Sequence, residues 1–213
     1  MKRVGIVDYG IGNLLSVRRA FEHFGAEATL IRTPAEVSAA DRLVLPGVGA
    51  FADGMRGLAE RGLVEPIVAY AALERPFLGI CLGMQMMFDQ SEEFGVHEGL
   101  GLIPGRVVAI PPQGIDRKPH RIPHIWWNAL VLPPARTNWR GSLLEDVEFG
   151  SFVYFVHSFT AAPEREEHRL ADCHYGGLVL SAMAQRGTLC GAQFHPEKSG
   201  ETGLRIIRRF LSW

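Results

Sequence analysis

Three short stretches of this 213-residue chain carry side chains able to attack and stabilise an acyl centre. The first is Gly79-Ile80-Cys81-Leu82-Gly83, which follows a short apolar run and leads into a methionine-rich segment. A cysteine between two glycines fits a nucleophile elbow, a strand-to-helix turn so tight that its flanking residues must be small. The helix start beyond it offers unpaired N–H groups and a positive dipole end, which favour a thiolate at Cys81. The Leu82 N–H is then the natural first donor to an oxyanion. The second stretch is GAQFHPEKSG, where Glu197 stands two residues beyond His195. None of the other seven histidines has a carboxylate at that spacing. A base whose imidazole is oriented by a carboxylate is what activates a nucleophile, so Cys81, His195 and Glu197 form the candidate catalytic set. The third is Pro46-Gly47-Val48-Gly49, a glycine turn whose backbone N–H groups can approach a carbonyl oxygen closely. Gly47 and Val48 are its candidate oxyanion donors. Neither GIGNLLS nor GVGAFAD has the third glycine of a dinucleotide-binding loop.

These residues need strands and helices to bring them together. Arg3–Val7 reads as a buried strand, and Leu14, Val17, Phe21 and Phe24 space out one face of a helix that Gly25 ends. AEATLI, DRLVLPG and RPFLGI read as three more strands, with a helical pattern before the last. The order βαβα predicts an α/β fold with a mostly parallel open sheet and helices on both faces. The run from Met84 to Phe88 reads as helix packing. Beyond residue 100 the texture changes to Gly- and Pro-punctuated strands, GRVVAIP, NALVLP, SFVYFVHSF and GLVLSAMAQRGTLCGAQFHP, expected as an antiparallel extension of that sheet. The chain closes on an amphipathic helix with Leu204, Ile207, Phe210 and Leu211 on its apolar face.

A chain of this length without a linker reads as a single domain, residues 1–213. Its net charge of −1 supplies no field to recruit nucleic acid or an anionic membrane. No apolar stretch approaches a membrane span, and the apolar run before Asp8 is too short for a signal-peptide core. The three cysteines, Cys81, Cys173 and Cys190, lack the spacing of a zinc site or a disulfide framework. The expected location is cytoplasmic.

Together PGVGAF, GICLGMQ and GAQFHPEKS resemble the class I (triad) glutamine amidotransferases. More narrowly, VDYGIGNLLSV, RIPHIWWN and YFVHSF resemble the glutaminase subunits of imidazole glycerol phosphate synthases, and the likeness runs the length of the chain. The resemblance implies that Cys81 attacks the side-chain amide of L-glutamine, His195 acts as general acid and base, and Glu197 orients it. Gly49, Gln85, Ser158 and Phe159 would surround the substrate. The thioester on Cys81 would be hydrolysed to glutamate, and ammonia would pass into a (β/α)8-barrel synthase subunit in a heterodimer of histidine biosynthesis. Asn13, His124, Trp127 and Lys198 match positions at or near that partner interface. No cofactor or metal is implied. Two positions depart from the family pattern. Trp126 replaces a glycine, which predicts a rearranged loop if the glycine's backbone is one that only glycine tolerates, and Phe159 replaces a common tyrosine. Other readings of the same residues are a paralogous subunit supplying ammonia to another synthase, such as one for surface-sugar amination, a cysteine hydrolase acting on peptides or γ-glutamyl compounds, and a regulatory module without turnover.

Overall fold

The computed structural model describes residues 2–213, so of the chain only Met1 lies outside it. The first half runs β1 (Arg3–Val7), α1 (Leu14–Glu22), β2 (Glu27–Ile31), α2 (Pro34–Ala39), β3 (Leu43–Gly47), α3 (Phe51–Glu60), α4 (Val64–Ala71), β4 (Phe77–Cys81) and α5 (Leu82–Met86). Its helix starts follow local chemistry. Asn13 caps α1 by accepting from Ser16 N, while Thr33 and Glu36 form a reciprocal capping box before Pro34 opens α2. All five residues of β3 and of β4 are buried, as parallel strands covered on both faces must be.

The second half contains β5 (Phe88–Ser91), β6 (His97–Glu98), β7 (Ile103–Ala109), β8 (His124–Ala129), β9 (Phe152–His157), β10 (Phe159–Pro163), β11 (Arg169–Tyr175), β12 (Leu178–Arg186), β13 (Leu189–Ala192) and α6 (Gly200–Ser212). Seven strands form the main sheet in the order β11-β12-β13-β4-β3-β1-β2. The five from β13 to β2 are parallel, and β12 and β11 add an antiparallel edge. One buried core lies between the sheet and α1 with α6, and a second on the opposite face under α2 to α5. The α/β class, the parallel sheet and its antiparallel edge therefore agree with the sequence reading.

Three details differ from it. Only β11 to β13 extend the main sheet; β7 joins β5, β6 and β10 in a four-stranded sheet, and β8 pairs with β9 as a separate ribbon. The helix after Cys81 stops at Met86, and Phe88 already belongs to β5. The carbonyls of Met86 and Met87, which another helical turn would use, instead accept from Leu100 N and Leu102 N, each at 2.8 Å. Finally, α6 buries Ile206 rather than Leu204 beside Ile207, Phe210 and Leu211. Its phase is set by Gly203, where a Cβ would overlap the Pro196 carbonyl oxygen.

Two register facts place the candidate chemistry. Gly47 is paired with Cys81 across β3 and β4, so the glycine turn and the cysteine leave the sheet side by side. On the other side of β4, β13 pairs Ala192 with Ile80 and delivers the chain into His195. All three stretches thus emerge at the carboxyl ends of adjacent parallel strands, where open α/β sheets bind ligands.

Candidate active site

Cys81 occupies φ 55°, ψ −111°, a backbone conformation that L side chains rarely adopt. Such strain persists only where the surroundings enforce it. Here the enforcement is steric: a Cβ at Gly79 would lie 2.6 Å from Met87 Sδ and 2.8 Å from Gly83 O, and one at Gly83 would overlap the Leu45 carbonyl oxygen. The glycines let α5 turn directly back on β3 and β4, leaving Leu82 as its first residue.

His195 Nδ1 lies 2.8 Å from Glu197 Oε1, and both side chains are buried. The backbone holds this unit firmly. His195 N donates to Tyr154 O at 3.0 Å, while Ser199 Oγ donates to His195 O at 2.6 Å and accepts from Tyr154 N at 3.0 Å. Burial alone would depress the imidazole. Its interactions with Cys81 and Glu197 outweigh burial and raise it to about 9. By strict hydrogen-bond geometry His195 Nε2 has no partner, although the thiol is near enough to affect its basicity. The two groups therefore stand in proximity without a formed hydrogen bond, an arrangement common before substrate binds.

A cavity of about 290 Å³ opens in front of Cys81. It is lined by Val48, Gly49, Leu82, Gln85, Ser158 and Phe159, all expected from the sequence, and by Glu93, Pro123, Val156 and His157, which were not. Gln85 Nε2 donates to Phe159 O and to Gln193 Oε1, each at 3.0 Å. Gln193 Nε2 in turn points to Cys81 Sγ at 3.9 Å. Glu93 Oε2 accepts from Phe51 N at 2.7 Å, where α3 begins just after the glycine turn. The turn itself rests on Tyr9, whose hydroxyl donates to Pro46 O at 2.8 Å. Burial, and secondarily a negative charge on Cys81, push the Tyr9 phenol well above its ordinary pKa, so it remains a donor. Gly47 is required there, because a Cβ would strike the Tyr9 hydroxyl. Gln193 had a signal in the sequence, since it precedes His195 by two residues at the end of a strand. Glu93 and Tyr9 had none, because only long-range folding brings them to the turn.

The four residues matched to a partner interface do not share one environment. Asn13, Lys198 and Trp127 are exposed or partly exposed, whereas His124 is completely buried. Its imidazole can therefore underlie a docking surface but not contact a partner directly. Trp126 is 72% exposed in regular register opposite Phe155, and its φ is not positive. The substitution for glycine thus needs no strained loop, and the indole neither enters the cavity nor joins the core. Ile125 and Trp127 are exposed beside it. Phe159 meets the exposed Phe94 edge-on, with 6.4 Å between ring centroids. Among the described residues there is no cluster of three or more His, Cys, Asp or Glu suited to a metal, and no helix is long and apolar enough to cross a membrane.

Comparison with known proteins gives a consistent result. Residues 5–212 match the family glutamine amidotransferase class-I. Imidazole glycerol phosphate synthase subunit HisH 1 of Legionella pneumophila (strain Lens) is 55% identical over 211 residues, covering 99% of each chain. Subunit HisH of Desulfitobacterium hafniense (strain DSM 10664 / DCB-2) is 44% identical, covering 99% of this chain and 94% of the relative. The structure of PurLQS from Thermotoga maritima superposes with a TM-score of 0.72 at 19% identity, over 100% of this chain and 99% of that one, a likeness of fold.

Proposed function

The chain belongs to the class-I glutamine amidotransferases, and on that premise we propose that it is the glutaminase subunit of an imidazole glycerol phosphate synthase in histidine biosynthesis. Full-length identity to subunits of that name supports the pathway over a paralogue serving another synthase. The observation that carries the chemistry is the strained Cys81, which lines the cavity, near the buried His195–Glu197 pair.

In this reading residues 1–213 form one amidotransferase domain acting in the cytoplasm, and Cys81, His195 and Glu197 are its catalytic triad. The Cys81 thiolate adds to the amide carbon of glutamine. The resulting oxyanion accepts hydrogen bonds from Leu82 N–H and from the backbone of the Gly47-Val48 turn, donors whose value rises in a site sheltered from water. Protonated His195 gives its proton to the amide nitrogen, the C–N bond breaks, and ammonia leaves a thioester on Cys81. The now neutral His195 takes a proton from water, whose oxygen attacks the thioester and releases glutamate and the thiolate. Glu197 keeps the imidazole oriented and stabilises its charged form throughout. The Glu93 carboxylate suits the α-ammonium of glutamine, with Gly49, Gln85, Ser158 and Phe159 around the rest. These steps, including a C–N lysis whose ammonia is consumed elsewhere, use only groups of this chain and water.

Ammonia released into bulk water would become ammonium. Docking on a (β/α)8-barrel subunit as a heterodimer would deliver it through the barrel to the synthase site at the opposite, C-terminal face. The exposed Ile125, Trp126, Trp127, Lys198 and Asn13 would supply apolar, basic and polar contacts for that docking. In the assembled enzyme, Cys81→Ala is expected to abolish glutamine-dependent synthesis while leaving synthesis from added ammonia intact. Glutamine-dependent turnover that survives this substitution would refute the assignment. A glutamine-analogue electrophile should label Cys81, which lines the cavity, and leave Cys173 and Cys190, both fully buried in the core, unmodified.

A further inference from the structure

His124 and His157 form a buried pair that the hydrolytic steps do not use. Its hydrogen bonds are fixed at both ends by the backbone. At one end, His157 Nδ1 lies 2.8 Å from Phe159 O, and a carbonyl only accepts, so His157 carries its proton on Nδ1. Its Nε2, left with a lone pair, lies 3.0 Å from His124 Nδ1, which must therefore donate. At the other end, Asn128 Nδ2 donates to His174 O at 2.7 Å and Asn128 Oδ1 accepts from Ala129 N at 2.8 Å, which fixes the orientation of that amide. Its amino group consequently faces His124 Nε2 at 3.4 Å, and that nitrogen must be the acceptor. The chain has one solution: Asn128 to His124 to His157 to Phe159 O, with both imidazoles neutral and protonated on Nδ1.

The surroundings agree with neutral rings. His124 is stacked between Phe155 and Tyr175, with centroids 5.0 and 4.1 Å away. Burial lowers His124 to about 4, with the His120 charge adding to the effect. Burial likewise lowers His157 to about 3, against the opposing hydrogen bond to Phe159. The chain also ends at a consequential place. Phe159 O accepts from Gln85 Nε2 as well, and Gln85 continues through Gln193 to Cys81. At its start is β8, the strand that exposes Ile125, Trp126 and Trp127.

We propose that His124 and His157 are positioning residues that hold the Phe159 carbonyl, and with it Gln85, in the geometry that binds glutamine. They link the β8–β9 ribbon to the cavity, which His157 itself helps to line, by hydrogen bonds of fixed direction. This role deepens the glutaminase reading and rests on it.

Two measurements test the proposal. Long-range ¹H–¹⁵N spectra of the full chain labelled in histidine should assign both residues to the Nδ1–H tautomer, the less common one in water; an Nε2–H tautomer at either residue overturns the directional chain. The second is kinetic, on the complex with its barrel subunit. His124→Phe keeps a ring in the stack but removes the donor, and should raise KM for glutamine about tenfold with a much smaller change in kcat. His124→Asn places an amide N–H near the position of Nδ1 and should recover most of that loss. An unchanged KM in His124→Phe, or equal losses in the two variants, overturns the positioning role. Wild-type complex that does not hydrolyse glutamine overturns the glutaminase reading and this role with it, while the tautomers still report separately on the hydrogen-bond chain.

Discussion

Replacing Glu197 by Gln tests the electrostatics of the proposed site most directly. The carboxylate lies 2.8 Å from His195 Nδ1 with its side chain 1% exposed, so solvent screens the pair little. Unit charges about 4 Å apart attract by roughly 4 kcal/mol at an effective dielectric near 20. Each 1.36 kcal/mol of differential interaction is about one pKa unit, so the loss is on the order of two to three units. Burial, now opposed mainly by Cys81, should carry His195 from about 9 back toward its ordinary 6.5. The imidazolium–thiolate pair would then be scarce at neutral pH. Glutamine turnover and alkylation of Cys81 by iodoacetamide should both fall about tenfold near pH 7.5, where the imidazolium fraction drops from nearly all to about a tenth. In the wild type the alkaline limb of the imidazolium-dependent steps lies near pH 9; in Glu197→Gln it moves to lower pH. The stability sign follows from the same shift. A raised folded-state pKa stabilises the native state fully below about 6.5, and that contribution fades as pH rises through about 9. Thermal melts should therefore show wild-type stability declining over that window, with a flatter dependence in the variant. An alkaline limb still near 9 in Glu197→Gln, with an unchanged alkylation rate at pH 7.5, would refute the reasoning.

Three further substitutions probe the scaffold. Gly83→Ala puts a methyl group into the Leu45 carbonyl and should cost about 3 kcal/mol, read as a Tm lowered by roughly 6–12 °C together with slower labelling of Cys81; an unchanged melt would show that the elbow has more room than its geometry indicates. Tyr9→Phe removes the bond to Pro46 O and should cost about 1 kcal/mol, with glutamine turnover reduced because the glycine turn loses its support; equal stability and turnover would show that the hydroxyl contributes nothing there. Trp126→Ala should change stability by no more than about 0.5 kcal/mol, because the indole is exposed, yet weaken barrel binding by tenfold or more in calorimetry. Unchanged affinity would remove Trp126 from the docking surface.

Residues that act with near neighbours in the chain could be read directly. Gly79, Cys81 and Gly83 announce a tight turn because its steric demands fall on adjacent positions, and His195 and Glu197 pair across two residues. The four parallel strands of the first half were legible from apolar runs short enough to be strands and buried on both faces. Period and composition could not say that the β8–β9 ribbon leaves the main sheet, since strand pairing is a long-range choice. Nor could they place Phe88, whose helix is cut short when the chain from Gly99 onward claims the carbonyls of the last turn.

The amino-acid sequence by itself thus singled out the candidate nucleophile, its candidate base and the strands that carry them, because those signals are local. Tertiary structure alone decided what surrounds them. Gln85 meets Gln193 across 108 residues, Glu93 reaches the start of α3 across 42, and the two histidines meet across 33. It also settled Trp126, whose type suggested a strained loop and whose place is an open strand face. Hydrogen-bond partners and exposure depend on how separate elements pack, and no local pattern of residue types encodes that packing.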